Sequence, residues 1–263
     1  MLLAIDIGNT RASIGLFAGT RLMKRGSIDW PARPSVRAIE QKLNAFAGKG
    51  AHHACIASVV PRLTPIFAAA CRKASGTRPL IVTPRNAGVR IKGYNIRQLG
   101  IDRLLAAAAA HRRHRRAVIV IDAGTAMTID LMTARGEFAG GVILPGIGSS
   151  ARGLGEIAAR LPCVPPSRAR RVVAKNTRDA IRAGLFFGYA GLIERIVERM
   201  VKESRARPLV VATGGDAALI KRACPIVARV HPDLVLEGLM ISASGLFLRR
   251  LARSPRYSSR KDR

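Results

Sequence analysis

Apolar residues fall into two rhythms along this chain. Short unbroken runs, Leu2 to Ile5, Ser13 to Phe17, Ala54 to Val59, Leu80 to Thr83, Val118 to Ile121, Met127 to Met132 and Leu209 to Ala212, are of strand length and end in glycine, proline or polar turns. They predict buried β-strands. Elsewhere the spacing lengthens to that of a helix. Val36, Ile39, Leu43 and Phe46 mark Ser35 to Phe46, and similar segments run over Leu63 to Ala74, Ile101 to about Arg116, Ser149 to Arg160 and Leu236 to about Leu251. The longest, Arg178 to about Glu203, carries Ile181, Leu185, Tyr189, Leu192 and Ile196 on one stripe, with Thr177 as its expected cap. Trp30 to Pro34 and Pro162 to Arg170 read as loops. Strands alternating with helices predict an α/β fold.

One element occurs twice. The first strand breaks at Asp6-Ile7-Gly8-Asn9-Thr10 and resumes as Ser13 to Phe17; the strand Val118 to Ile121 breaks at Asp122-Ala123-Gly124-Thr125-Ala126 and resumes as Met127 to Met132. The repeat predicts two similar lobes, residues 1–116 and 117–253, followed by a basic tail at 254–263. Each turn presents a carboxylate beside a glycine that lets the backbone come close to a ligand, and Asn9, Thr10 and Thr125 add donors. Such turns suit a polyphosphate, and Asp6 suits its magnesium ion. A further strand, Gly140 to Leu144, runs into the glycine-rich loop Pro145 to Gly148, and Leu209 to Ala212 runs into Thr213-Gly214-Gly215-Asp216.

Charge adds a constraint without choosing a function. Lys and Arg number 45 against 16 Asp and Glu, a net charge of +29. Such a surface attracts polyanions without regard to their sequence. The basic residues are scattered, with concentrations at His111 to Arg116, Arg168 to Arg171 and Arg249 to Arg263, and neither zinc-finger spacing nor an aromatic RNA-binding signature accompanies them. The His111 to Arg116 cluster falls where a helix should end, which suits the helix dipole. Cys55, Cys71, Cys163 and Cys224 are far apart, as expected of reduced thiols in a cytoplasmic protein. The amino terminus enters the first strand without a basic leader and no apolar run reaches about 18 residues, so neither secretion nor a membrane span is expected.

A rare carboxylate, Asp102, opens the alanine-rich helix within Gly100-Ile101-Asp102-Arg103. It reads either as a cap or as a general base for an alcohol. Arg103 reads as an anchor for an anion or as a solvated helix surface, and Asn176-Thr177 as a cap or as a hydroxyl offered to a ligand.

Taken in order, Asp6 to Thr10, Leu99 to Arg103, Ile121 to Thr125, Gly141 to Gly146, Asn176-Thr177 with Ala180, Ile181 and Gly184, and Pro232 to Gly238 resemble the type III pantothenate kinases over nearly the whole chain. The resemblance implies two ribonuclease-H-like lobes of the actin and sugar-kinase superfamily, with mixed sheets flanked by helices. It implies transfer of the ATP γ-phosphate to pantothenate, the first step toward coenzyme A, by a homodimer. Carried over residue by residue, Asp6, Ile7, Gly8, Asn9, Thr10, Arg11, Ala12 and Ser13 would form the ATP loop, joined by Thr125. Asp102 would be the general base, Asp122 would hold potassium or ammonium, and Tyr94, Gly100, Ile101, Asp102, Arg103 and Thr177 would meet pantothenate. In the family the tyrosine stands seven residues before the glycine, commonly with a proline between; here Tyr94 precedes Gly100 by six and Arg97 lies between them. Some relatives are described as accessory factors for transcription, so a non-catalytic regulatory or nucleic-acid-associated protein of the same fold is the alternative.

Overall fold

The computed structural model describes residues 1–31 and 33–252; the expected basic tail lies outside them. The chain divides into two compact units. The first holds Met1–Val89, Asn95–Leu105 and the chain from Val235 onward; the second holds Arg90–Tyr94 and Ala106–Leu234. A cut at 116/117 does not anticipate this return of the last helix to the first unit.

In the first unit, β1 (Leu2–Ile7), β2 (Ala12–Ala18), β3 (Arg21–Ile28), β4 (His53–Ser58) and β5 (Leu80–Ile81) form a sheet of order β3-β2-β1-β4-β5. The first three strands are a meander, while β4 lies parallel to β1 and β5 parallel to β4. Helices α1 (Val36–Ala47) and α2 (Thr64–Ser75) close a core in which Leu3, Ile5, Ile7, Ile14, Ile39, Leu43, Ile56 and Phe67 are sealed from solvent. Trp30 meets the edge of Phe67 at 5.9 Å between ring centroids, an arrangement favoured by the ring quadrupoles. Ser35 starts α1 by accepting the Ala38 amide, and Gly76 stops α2 in the left-handed region.

The second unit repeats the plan. Strands β7 (Val118–Ala123), β8 (Ala126–Met132), β9 (Glu137–Pro145), β10 (Leu209–Thr213) and β11 (Arg229–Val230) run in the order β11-β10-β7-β8-β9, extended beyond β9 by β6 (Arg90–Ile91). Again the hairpin neighbours are antiparallel and the crossover neighbours parallel. Helices α4 (Ile147–Ile157), α5 (Thr177–Ser204) and α6 (Ala217–Ala223) follow the strands, and Ile193 and Val197 of α5 pack with Ile119, Ile121 and Ile129. The duplicated turn thus marks a duplicated sheet.

Two helices finish the fold. α3 (Ile101–His114) carries Asp102 in its first turn and His111, Arg112, Arg113 and His114 in its last, both matched to the helix dipole. Within the first unit, α7 (Leu234–Ala252) comes so close to α3 that a Cβ on Gly238 would lie 2.2 Å from the Leu105 carbonyl oxygen. Cys55, Cys71 and Cys224 are buried and Cys163 is exposed, all as free thiols. Burial pushes the Cys71 thiol up to about 12, so it stays protonated. No described helix is long and apolar enough to cross a membrane.

Within the second unit, His114 and His231 join the end of α3 to the residue after β11, Nε2 to Nε2 at 3.0 Å. Arg113 Nη1 donates to His231 Nδ1 at 3.3 Å, so the His231 proton sits on Nε2 and points to an unprotonated His114 Nε2. Burial, then the charges of Arg113 and Arg229, lowers both values, with Arg116 adding to His114 and His114 itself adding to His231.

Both the helix contact and the histidine pair can be tested by melting. Gly238→Ala should lower Tm by about 3–10 °C, since overpacking against backbone costs about 1–3 kcal/mol in a chain of this size; an unchanged melting curve would refute the close approach. The neutral histidine pair stabilises the fold above the unfolded histidine value of about 6.5 and loses that contribution as pH falls through the lowered folded values. Melting between pH 7 and pH 5 should therefore drop more steeply for the native chain than for a His114→Asn, His231→Asn variant, and parallel curves would count against it.

Candidate active site

The first turn is set by β1, which is buried as far as Ile5 and again at Ile7. Asp6 lies between Ser13 of β2 and Ala57 of β4 in the register. The Gly8 amide donates to the Arg11 carbonyl at 3.1 Å, closing the loop over residues 8–11. Asn9, Thr10 and Arg11 are exposed, while Ile7 and Ala12 are buried, so the last two offer a ligand only backbone. Arg11 reaches Asp29 at 3.7 Å, with both side chains mostly in solvent, a contact of little energetic weight.

The second turn is one residue shorter, spanning 124–126 between the paired Ala123 and Met127. Asp122 lies between Thr128 and Thr213, as Asp6 lies between Ser13 and Ala57. Two further segments press on this turn. At one, Gly214 has φ +90°, and a Cβ there would lie 2.6 Å from Asp122 Oδ1, while the Asp216 amide donates to the Ala123 carbonyl at 3.0 Å. At the other, a Cβ on Gly146 would lie 2.0 Å from the Gly124 carbonyl, and both the Gly146 amide at 3.0 Å and Ser149 Oγ at 2.7 Å donate to the Thr125 carbonyl. Partial burial raises the Asp216 carboxyl above its ordinary value. In sequence Thr213 to Asp216 reads only as a turn, and Gly146, Ser149 and Asp216 have no role there. The signal is a second glycine turn directly after an apolar strand.

Asp102 is the second residue of α3, inside the helix and not its cap. Its Oδ1 accepts the Arg103 amide at 2.8 Å, which fixes the carboxyl orientation. Burial raises its pKa and outweighs the lowering by that hydrogen bond and by the Arg103 charge. Gly100 leaves room for this carboxyl, since a Cβ there would stand 2.5 Å from Asp102 Oδ1 and push it from this position. Arg103 is only 5% exposed, which settles its open reading against a solvated helix surface. Ile101 is buried, so its side chain belongs to the core.

The remaining residues lie in the second unit. Tyr94 packs edge-on to Phe138 of β9 at 5.8 Å. At the start of α5 it is Asn176, not Thr177, that caps: its Oδ1 accepts the Asp179 amide at 2.9 Å and its Nδ2 donates to Asp179 Oδ2 at 2.8 Å. Thr177 is the first helical residue and is exposed, so its hydroxyl is not consumed by capping. The structure therefore groups Asp6 to Ser13 with Gly100 to Arg103 in one unit, and Tyr94, Asp122, Thr125 and Thr177 in the other.

No group of three or more His, Cys, Asp or Glu among the described residues could hold a metal ion. Single carboxylates at strand ends fit magnesium that arrives with a nucleotide's phosphates, since that ion keeps its waters and takes one or two protein oxygens. Beside Gly214 the Asp122 carboxylate and the Ala123 carbonyl each come within 2.7 Å of where a Cβ would stand, and oxygen donors of that kind suit a hard cation.

Comparison with known proteins bears on the family and the fold. A profile of the type III pantothenate kinase family matches residues 2–199. A type III pantothenate kinase of Syntrophotalea carbinolica is 42% identical over 248 residues, 92% of this chain and 97% of the relative. Among solved structures, a conserved protein of the Baf transcriptional-activator family from Campylobacter jejuni superposes with a TM-score of 0.62 at 22% identity, over 94% of this chain and 99% of its own. Component A of (R)-2-hydroxyglutaryl-CoA dehydratase from Acidaminococcus fermentans gives 0.56 at 13% identity, over 96% and 99%. At such identities the two structures speak for the fold alone, with its two mixed sheets flanked by helices. The extent and identity of the sequence matches go further: this chain belongs to the type III pantothenate kinase family.

Proposed function

We propose that the protein transfers the terminal phosphate of ATP to the primary hydroxyl of pantothenate, with Asp102 as the general base. The observation that carries the assignment is the Asp102 carboxyl itself, fixed by the Arg103 amide and raised by burial. A raised carboxylate is a stronger proton acceptor, and a fixed one can meet a hydroxyl in a single geometry. The exposed Asn9, Thr10 and Arg11 with the amides of the first turn contact the ATP phosphates, and Thr125 contacts ATP from the second turn. Asp6 takes the nucleotide's magnesium and Asp122 a potassium or ammonium ion; bound there, the ions supply neutralisation of phosphate charge. Gly100 and Arg103 border the pantothenate site, with contacts from Tyr94 and Thr177.

The protein acts as a homodimer in the cytoplasm in this reading. The support for a dimer is that Ile157, Val172 and Val173 of the second unit are 89%, 69% and 73% exposed, apolar side chains that a partner would cover. A regulatory or nucleic-acid role is not favoured, because the sequence relatives carry the kinase name and the likeness to the Baf-family protein extends to the fold only.

Purified protein with ATP, magnesium, potassium and pantothenate should form phosphopantothenate; a folded protein that forms none overturns the assignment. Asp102→Asn should lower kcat by about two to four decades, the usual weight of general-base catalysis. The base works ionised, so the native rate should fall as pH drops through a value above the ordinary aspartate pKa of about 3.9, and this acid limb should vanish in the variant. A limb that persists there would remove Asp102 from the role. Sedimentation should give twice the chain mass, and Ile157→Asp with Val173→Asp should shift it to the monomer; a native monomer would refute the dimer.

A further inference from the structure

Tyr189 lies on α5, twelve residues beyond Thr177 and outside the motif residues of the site. It packs against the cluster of Ile147, Ile181 and Leu185 and against the β7 to α6 core. Its hydroxyl donates to the Pro145 carbonyl at 2.8 Å. Because that uses its only proton, the 2.6 Å contact with Ser150 Oγ is a bond in which the serine donates. The peptide linking Pro145 to Gly146 is therefore gripped at both ends. Its carbonyl is held by Tyr189, and its N–H is held by the Thr125 carbonyl at 3.0 Å. A peptide unit is planar and stiff, so the orientation of one end dictates that of the other.

The same Thr125 carbonyl also takes Ser149 Oγ, which in turn accepts from Arg152 Nη2 at 3.1 Å. The start of α4 is thus seated on the second turn through two donors, and Tyr189 is the point where α5 anchors that seat. We propose that Tyr189 is a positioning residue for ATP: through the Pro145–Gly146 peptide it sets the turn that carries Thr125. This rests on the reading above in which Thr125 contacts ATP.

Tyr189→Phe keeps the ring and removes both hydroxyl bonds, with Ser150→Ala as a milder variant that leaves the Pro145 bond in place. Hydrogen exchange at the Gly146 amide, measured on the native chain and on Tyr189→Phe, reads the mechanical link without any catalysis. It should quicken in Tyr189→Phe, and unchanged protection overturns the proposal. In steady-state kinetics the KM for ATP should rise about five- to tenfold, the worth of about one hydrogen bond, with the KM for pantothenate within twofold of native. A parallel rise in both KM values, with a lowered Tm, would mark a merely structural role and overturn it. Thr125→Ala separates the two claims. If that variant raises the ATP KM and Tyr189→Phe does not, positioning by Tyr189 fails; if neither raises it, the assignment of Thr125 to ATP fails and the proposal falls with it.

Discussion

The site depends on a constraint at the centre of each sheet. β1 and β7 are each hydrogen-bonded to a neighbour on both sides and covered by helices, so nearly every position along them must be apolar, and their core residues Ile5, Ile7, Ile119 and Ile121 are sealed. In these two strands the carboxylate stands where the strand reaches the end of its sheet. Asp6 and Asp122 stand there, each one residue before the last of its strand, and the chain must then turn back into an antiparallel partner. Parallel neighbours end at the same edge, which is why Thr213 and Gly214 arrive beside Asp122. Ligands of open α/β sheets gather at the carboxyl ends of strands for the same geometric reason.

The two turns beyond these strands are built differently. The second turn is hemmed by Gly214 and Gly146, which stand against Asp122 and the Gly124 carbonyl, so its conformation is dictated by its neighbours. The first is closed by its own Gly8 amide on Arg11 and leaves Asn9, Thr10 and Arg11 in solvent. One turn is thus supported from outside and the other from within. The proposed division of labour, in which the open loop would wrap phosphate and the supported turn would offer fixed oxygen atoms, follows from that difference.

Much of this is legible in the sequence, because buried strands write unbroken apolar runs and amphipathic helices write a 3.6-residue stripe. The duplicated Asp-X-Gly turn announces the duplicated sheet. Edge elements escape: β3 shows solvent at most of its positions and therefore has no apolar run to read, and β6 and β11 are two residues each. Thr177 reads as a cap although Asn176 fills that place, since both residue types cap well and only the backbone decides. The burial of Arg103 and the packing of α7 on α3 are products of distant segments. Gly238 is visible as part of a motif, but its spacing alone cannot show that it stands against a carbonyl of another helix.

The charge of +29 has a structural counterpart. With 16 carboxylates for 45 Lys and Arg residues, most bases have no ion partner to find. Several donate instead to backbone carbonyls where elements end or turn. Lys24 reaches the Phe46 carbonyl in the last turn of α1, Arg116 that of Arg207 before β10, and Lys221 those of Val227 and Ala228 before β11. At the end of α1 the cation meets the partial negative charge of the helix terminus, and at the strand ends a charged donor bonds a backbone carbonyl in place of an ion pair. The self-repulsion of the surface remains, and added salt screens it more than it breaks any pair. A basic surface of this kind raises the local concentration of any phosphate-bearing molecule without selecting among them. In the proposed function, selection falls to the turns and to Asp102, where geometry rather than charge would discriminate.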